Sequence, residues 1–427
     1  LLALTLPLSA DPSHEVARRE EALQRGLAPE QLGFRVAGQH DDPAARPSLA
    51  DARDFARRDW GKPLSRHPFS VGRAPDVAAQ NDVAATVPPE ITVRPPEGYD
   101  YAELADCTDS LAVFNHYSAC QAERIVLSEW RTRNGVPVEQ IGSASFASFA
   151  LGYGSYDTPS SATPRRMQFQ ISLKQLIASG TLSKAKIGAR VSCEGVPSPQ
   201  QCAVADGSVT RSPSAWGVAP SFYVTVTSSE SGSTGQDLVG YGDIKLEWTA
   251  TGRSVTIVVP TSADLLTRCD SSASLQGTKA CIFTQVIPWI YYSRDDPQVA
   301  EAAQHVYDAY ANPGATYPIV VDKLIPGQVP GGAGGWLHRS TSEEVRNANR
   351  AEAIAVCSTF WPGYASEGKD CDEFPFASTW EGASRASGNF SARPVLSSHN
   401  QTAGSWLGRF YRYDRVLDWD PFGVGVG

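Results

Sequence analysis

Residues 371–408 read CDEFPFASTWEGASRASGNFSARPVLSSHNQTAGSWLG, and their pattern decides how the C-terminal end of the chain folds. CDEFPFA predicts a strand, in which successive side chains point to opposite faces. Asp372, Phe374 and Phe376 then share one face and Glu373 takes the other, so a regular strand does not aim both acids at one site unless a bend at Pro375 or a bulge intervenes, and Asp372 ranks ahead of Glu373. After Glu381-Gly382 comes a second extended run, 390–396, whose tail Ser397-Ser398-His399-Asn400 supplies helix N-cap chemistry. The helix that follows puts Trp406, Phe410 and Tyr413 on one stripe and Arg409 and Arg412 on a neighbouring face. The order is strand, strand, helix, with polar groups converging at the junctions.

Charge in this unit is uneven. Between Gly382 and Arg415 there are five arginines, Arg385, Arg393, Arg409, Arg412 and Arg415, against one acid, Asp414. Such a face draws a phosphate backbone, while the carboxylates just upstream suit a hard divalent cation such as Mg²⁺ or Mn²⁺. Either feature alone reads as solvated surface charge. Together they suit phosphodiester hydrolysis: an anionic Asp orients or deprotonates water, a metal polarises a phosphoryl oxygen, and Arg neutralises equatorial charge. The candidate catalytic carboxylates are Asp372, Glu373 and Glu381, and the candidate substrate-binding residues are Arg385, Arg393, Arg409 and Arg412. His338 has two readings, a residue lining the folded site and, the commoner case for a lone His, a satisfied structural donor; Ser405 has no acid–base partner of triad type nearby.

Upstream, the apolar period changes to two. Met167, Phe169, Ile171 and Leu173 alternate with polar residues; so do Phe222, Val224 and Val226, then Ile244, Leu246 and Trp248, then Val255, Ile257 and Val259. Asn134-Gly135 is a hairpin signal and 229–235 a flexible turn. An all-β sandwich or barrel follows. At its end, 299–312 predicts an amphipathic helix with Val299, Ala303, Val306 and Tyr310 on one stripe, and Pro313-Gly314 stops it.

The eight cysteines fall in neighbouring couples: Cys107 and Cys120, Cys193 and Cys202, Cys269 and Cys281, Cys357 and Cys371. Four short disulfide loops in an oxidising compartment are the simplest reading. None is spaced as CxxC, so structural zinc is not expected. A bridge from Cys357 to Cys371 contributes about 3 kcal/mol in the chain-entropy model and pins the residue before Asp372. The first ten residues, LLALTLPLSA, resemble the tail of a secretory signal and its cleavage site, and no later run reaches the about 18 apolar residues of a membrane span. Residues 11–98 are rich in Ala, Arg, Asp and Pro and bury little. The net charge of −9 excludes a protein coated in basic surface but not a local basic patch.

The run Asp372-Glu373-Phe374-Pro375-Phe376-Ala377-Ser378-Thr379, then Glu381-Gly382, then Asn400-Gln401-Thr402-Ala403-Gly404-Ser405-Trp406-Leu407-Gly408, resembles the bacterial NucA/NucB-type deoxyribonuclease domain. The likeness covers about residues 313–427, and two separated blocks match in order. It implies a reduced His-Me finger that is secreted or effector-like and cuts DNA with little sequence preference using a divalent metal. It also implies Asp372 as base or activator, in the place where other finger nucleases put a His, and Asn400 as a metal-site residue. The family often has an Asp before the motif Asn; this chain has His399.

The sequence therefore predicts a multidomain chain. It comprises a signal-peptide remnant (1–10), a flexible arm or pro-segment (11–98), a disulfide-stapled β-rich domain ending in a helix (99–312), and a small α+β nuclease domain of ββα-metal type (313–427). The expected function is a secreted, metal-dependent endonuclease acting on DNA. Two rivals share the sequence features: a nuclease toxin of bacterial competition, with an immunity protein as partner, and a non-catalytic surface-binding protein with a decayed nuclease domain and a cell-wall ligand on its β region.

Overall fold

The computed structural model describes residues 88–427 except 108–110, 134–135, 159–163, 234, 253–255, 262–263 and 328–334. The expected signal-peptide remnant and residues 11–87 lie outside the described residues. What is described is mostly β-sheet with few helices. One antiparallel sheet has the order β1 (Ala112–Asn115), β2 (Ser118–Arg133), β3 (Val136–Tyr153), β5 (Arg165–Gly180), β9 (Ser221–Ser228), β7 (Ala203–Ala205). A second has the order β4 (Ser155–Asp157), β13 (Lys279–Phe283), β12 (Leu265–Asp270), β10 (Gly240–Thr251), β6 (Lys186–Val196), β8 (Ser208–Arg211), with β11 (Thr256–Pro260) added on β10. A short helix, α1 (Pro213–Val218), lies between β8 and β9.

The alternating residues of the sequence are the inner faces of these sheets. Met167, Phe169, Ile171 and Leu173 of β5, Val224 and Val226 of β9, and Ile244, Leu246 and Trp248 of β10 are buried in one cluster shared by both sheets. Trp248 crosses that cluster: its ring meets Phe146 of β3 at 4.8 Å, and its indole N–H donates to Ser148 Oγ at 2.7 Å. The hydroxyl meets the polar requirement that a buried indole carries. Residues 88–98, grouped by composition with the arm, are packed onto the β structure instead. Ile91 and Val93 are buried, and the Thr92 and Val93 N–H groups donate to Gln168 Oε1 at 2.7 and 3.1 Å.

The C-terminal part contains β14 (Trp289–Tyr292), α2 (Ala300–Ala311), β15 (Leu337–His338), α3 (Glu343–Phe360), β16 (Lys369–Phe374), β17 (Ser391–Leu396), α4 (Ser397–Tyr413) and β18 (Pro421–Val426). β14 pairs parallel with β18, which pairs antiparallel with β15; β16 and β17 form a separate antiparallel hairpin. The expected stripe of α2 is buried, but not against the β region alone. Val299, Ala303, Val306 and Tyr310 share a cluster with Ile290, Leu337, Phe374, Leu407, Phe410, Phe422 and Val424.

Two local expectations need correction. First, α4 starts at Ser397 with Leu396 in the cap position and no side-chain cap bond, so Asn400 lies inside the first turn rather than before it. Its buried stripe is Ala403, Leu407, Phe410 and Tyr411, with Trp406 and Tyr413 only half-buried. Second, α3 has no counterpart in the sequence reading. Ser342 caps it by accepting from Val345 N at 3.3 Å, and Glu343 and Glu344 in the first turn complement the helix dipole. It escaped notice because its buried face, Val345, Asn349, Ala353, Val356 and Cys357, contains small and polar residues in place of a strong apolar stripe.

All four cysteine couples are disulfides as paired from the sequence, Cys107–Cys120, Cys193–Cys202, Cys269–Cys281 and Cys357–Cys371. The last ties α3 to β16, directly before Asp372. Among the described residues no helix is long and apolar enough to cross a membrane.

Candidate active site

A cleft of about 990 Å³ opens along the edge of β16 that pairs with no other strand. Its walls come from α2 (Ala302, Val306), α3 (Arg346, Arg350, Ile354) and α4 (Asn400, Gly404, Leu407), and Asp372 and Glu373 border it together. Strand alternation nevertheless holds. Asp372 faces α2, where its Oδ2 is 2.8 Å from His305 Nδ1. Glu373 faces α3: its cross-strand partner Ala392 sits in the cluster of Ala353, Val356 and Cys357. The expectation that a regular strand keeps the two acids from one site is thus corrected. The cleft wraps around an edge strand, so residues on both of its faces reach the same cavity.

The environments of the two acids differ. Burial first, and then the neighbouring Asp372 charge, push the Glu373 carboxyl up to about 8, against the lowering influence of Arg350 and a hydrogen bond from the Ala377 backbone. A Glu373 that keeps its proton near neutral pH can donate a hydrogen bond or a proton within the cleft. Asp372 is oriented by a chain of contacts: His305, fully buried, bonds Asp372 with Nδ1 and Ser391 Oγ with Nε2 at 2.7 Å.

Asn400, from the first turn of α4, borders the same cleft. Next to it, Asp370 takes Ser397 Oγ at 2.8 Å and Gln401 Nε2 at 3.1 Å, which fixes the start of the helix to β16. His399 turns the other way, its Nδ1 accepting from Glu301 N at 3.3 Å, and it is not among the cleft residues. Glu381 is also elsewhere. Its carboxylate takes the His338 backbone N–H at 2.9 Å and lies 2.7 Å from His338 Nδ1, so His338 is the structural partner that the sequence suggested. Gly382 beside it has to be glycine, because a Cβ there would stand 2.1 Å from Asn349 Nδ2.

Of the four arginines assigned to substrate, only Arg412 borders the cleft, and it also donates to Gln276 Oε1. Arg393 is held by Asp308 at 2.8 Å, Arg409 lies 3.5 Å from Glu97, and Arg385 stacks over the Trp380 ring at 4.5 Å. Besides Arg412, the cations the cleft presents are Arg346 and Arg350, one helical turn apart on α3, together with Lys369 and Arg339. Arg339 is committed to structure, donating to the carbonyls of Val416 and Ser274. Arg346 and Arg350 were missed with the helix that carries them, and the i, i+4 spacing on a capped helix was the available signal.

Among the described residues no group of three or more His, Cys, Asp or Glu side chains is placed to hold a metal ion. The oxygen donors bordering the cleft include three carboxylates, Asp370, Asp372 and Glu373, and the Asn400 amide, which are hard ligands of the kind Mg²⁺ and Mn²⁺ take. Mg²⁺ commonly uses one or two carboxylates and completes its shell with water and substrate phosphate. The donor set fits that arrangement.

No curated protein and no solved structure matches the chain. The C-terminal quarter of the chain is a NucA/NucB deoxyribonuclease domain, matched over residues 331–425 by the family model described as Deoxyribonuclease NucA/NucB, and that family implies a DNA-cleaving nuclease.

Proposed function

We propose that the chain is a secreted endonuclease that hydrolyses DNA phosphodiester bonds with little sequence preference and depends on a divalent metal, Mg²⁺ or Mn²⁺. The observation that carries this reading is the convergence of Asp372, Glu373, Asn400, Arg346 and Arg350 on one cleft. Asp372, held at one oxygen by His305, has its other oxygen left to receive a proton from an attacking water. Glu373, protonated near neutral pH, donates a hydrogen bond or proton to an oxygen on the phosphorus side. Arg346 and Arg350 neutralise phosphate charge and place the strand along the cleft. Asn400 and Asp372 would hold the metal, which would supply Lewis-acid polarisation of a phosphoryl oxygen when bound.

Secretion is supported by the four disulfides, which are typical of extracellular proteins. The test is plasmid nicking by the purified chain with Mg²⁺ or Mn²⁺. Cleavage is expected to stop in EDTA and to be lost in Asp372→Ala. Full nicking by Asp372→Ala and Asn400→Ala would remove the assignment of roles.

A further inference from the structure

We infer that α2, which lies wholly outside the stretch that matches the nuclease family, belongs to the catalytic unit, and that His305 on it is the positioning residue of Asp372. The inference rests on the proposed role of Asp372.

The geometry is specific. On the β16–β17 hairpin, Asp372 stands directly opposite Arg393 and Phe374 directly opposite Ser391, so all four side chains lie on one face. α2 runs across that face. His305 takes Asp372 and Ser391 at 2.8 and 2.7 Å, and three residues on, Asp308 takes Arg393 at 2.8 Å. Tyr310 packs edge-on against Phe374 with ring centroids 5.2 Å apart. At the other end of α2, Glu301 Oε2 accepts from the Leu396 N–H at 2.8 Å, at the junction of β17 and α4. The matched domain thus meets α2 along most of one side.

Asp308 and His305 do different work. Asp308 draws Arg393 away from its cross-strand neighbour, which keeps Asp372 from being neutralised by the arginine it would otherwise pair with. His305 replaces that partner with a directional one. Because Ser391 Oγ occupies Nε2, its hydroxyl proton can satisfy that nitrogen and leave the Nδ1–H to donate to Asp372 Oδ2. The ring is fully buried and cannot reach substrate, so it acts only through Asp372. A carboxylate on an exposed strand edge swings about its χ angles; one anchored at Oδ2 presents Oδ1 in a fixed direction.

The experiment uses the full chain and compares four variants by steady-state DNA cleavage, DNA affinity and thermal melting. His305→Leu keeps the volume and removes both hydrogen bonds; it is expected to lower kcat by about 10²-fold, the scale of a 1 Å misplacement, with KM changed by less than about threefold. His305→Asn places an amide N–H near Nδ1 and is expected to regain at least tenfold of that loss, on the order of one well-made orienting bond. Asp372→Ala sets the floor, and adding His305→Leu to it is expected to lower activity no further. Equal kcat for His305→Leu and His305→Asn in folded protein overturns the inference, as does a further loss in the double variant. If the wild-type chain does not cleave DNA, the nuclease reading fails; if it does and Asp372→Ala cleaves as well as wild type, only the role of Asp372 fails. A drop in His305→Leu that tracks a lowered melting temperature and is not rescued by Asn marks the residue as merely structural and also overturns the inference.

Discussion

Arg415, two residues past the end of α4, and Asp270, at the end of β12, are both fully buried and form a two-pronged ion pair between the C-terminal unit and the β-rich region. Arg415 Nη1 also donates to Thr278 Oγ1 at 2.5 Å, and Arg268 reaches from the same strand to Asp420 at 2.6 Å. Removing one member of such a pair leaves the other charge buried and uncompensated.

Arg415→Ala is therefore expected to destabilise the whole chain by about 3–5 kcal/mol. Urea denaturation followed by tryptophan fluorescence measures it. The same contacts predict that residues 313–427 alone do not fold. That fragment lacks β14 and α2, which supply a paired strand and a buried face to its core. A soluble, cooperatively melting 313–427 fragment would contradict this.

The ionisation state of Asp414 ties this junction to pH. Burial pushes its carboxyl up to about 8, against the lowering effect of the hydrogen bond that the Tyr99 hydroxyl donates to it. The folded state therefore binds a proton that the unfolded chain releases above about pH 4, and stability falls as pH rises from there through about 8. Asp414→Asn removes this dependence. Relative to wild type it is expected to gain stability steadily in urea melts between pH 5 and 8.5. Nearby His116 acts in the opposite direction: burial lowers it to about 4, so its contribution is lost as pH falls from about 6.5 towards 4.

Arg346 and Arg350 are expected to contact phosphate, not bases. Each change to Ala should weaken DNA binding about equally across sequences and reduce the slope of log affinity against log salt by about 1. Fluorescence anisotropy over a salt series reads both quantities. Arg385→Ala and Arg409→Ala, which lie away from the cleft, should leave the slope unchanged.

Asn349 on α3 pins the loop after β16. Its Nδ2 donates to the carbonyls of Ala377 and Thr379 at 2.9 and 3.1 Å, and its Oδ1 accepts from Ser384 N at 3.0 Å. Asn349→Ala strands these buried groups and is expected to cost about 2–3 kcal/mol. Gly382→Ala should cost a comparable amount through its clash with the same side chain. Chemical denaturation of both variants checks this, and the double variant should cost less than the sum.

The period-two runs of β5, β9 and β10, the cysteine couples and the stripe of α2 were legible because each is local: alternation, spacing and helical repeat follow from the backbone geometry of a few residues. Asp372 and Asn400 were legible as a motif, and the structure brings both to one cleft. The arginines misled because charge in a sequence has no direction. Arg393 and Arg409 each have an acidic partner far away in the chain, Asp308 and Glu97, that no local pattern reveals. Glu381 misled for the same reason, its carboxylate being taken up by His338.

The sequence by itself determined the strand alternation that sends Asp372 and Glu373 to opposite faces, and the disulfide that fixes the residue before them. Only the tertiary structure decided that both acids border one cavity, since that depends on β16 lying at a sheet edge. It alone also decided that His305, 67 residues upstream, holds Asp372. A buried histidine on an amphipathic helix looks like core until the carboxylate it faces is in place, because a hydrogen bond between distant residues exists only once the chain has closed around it.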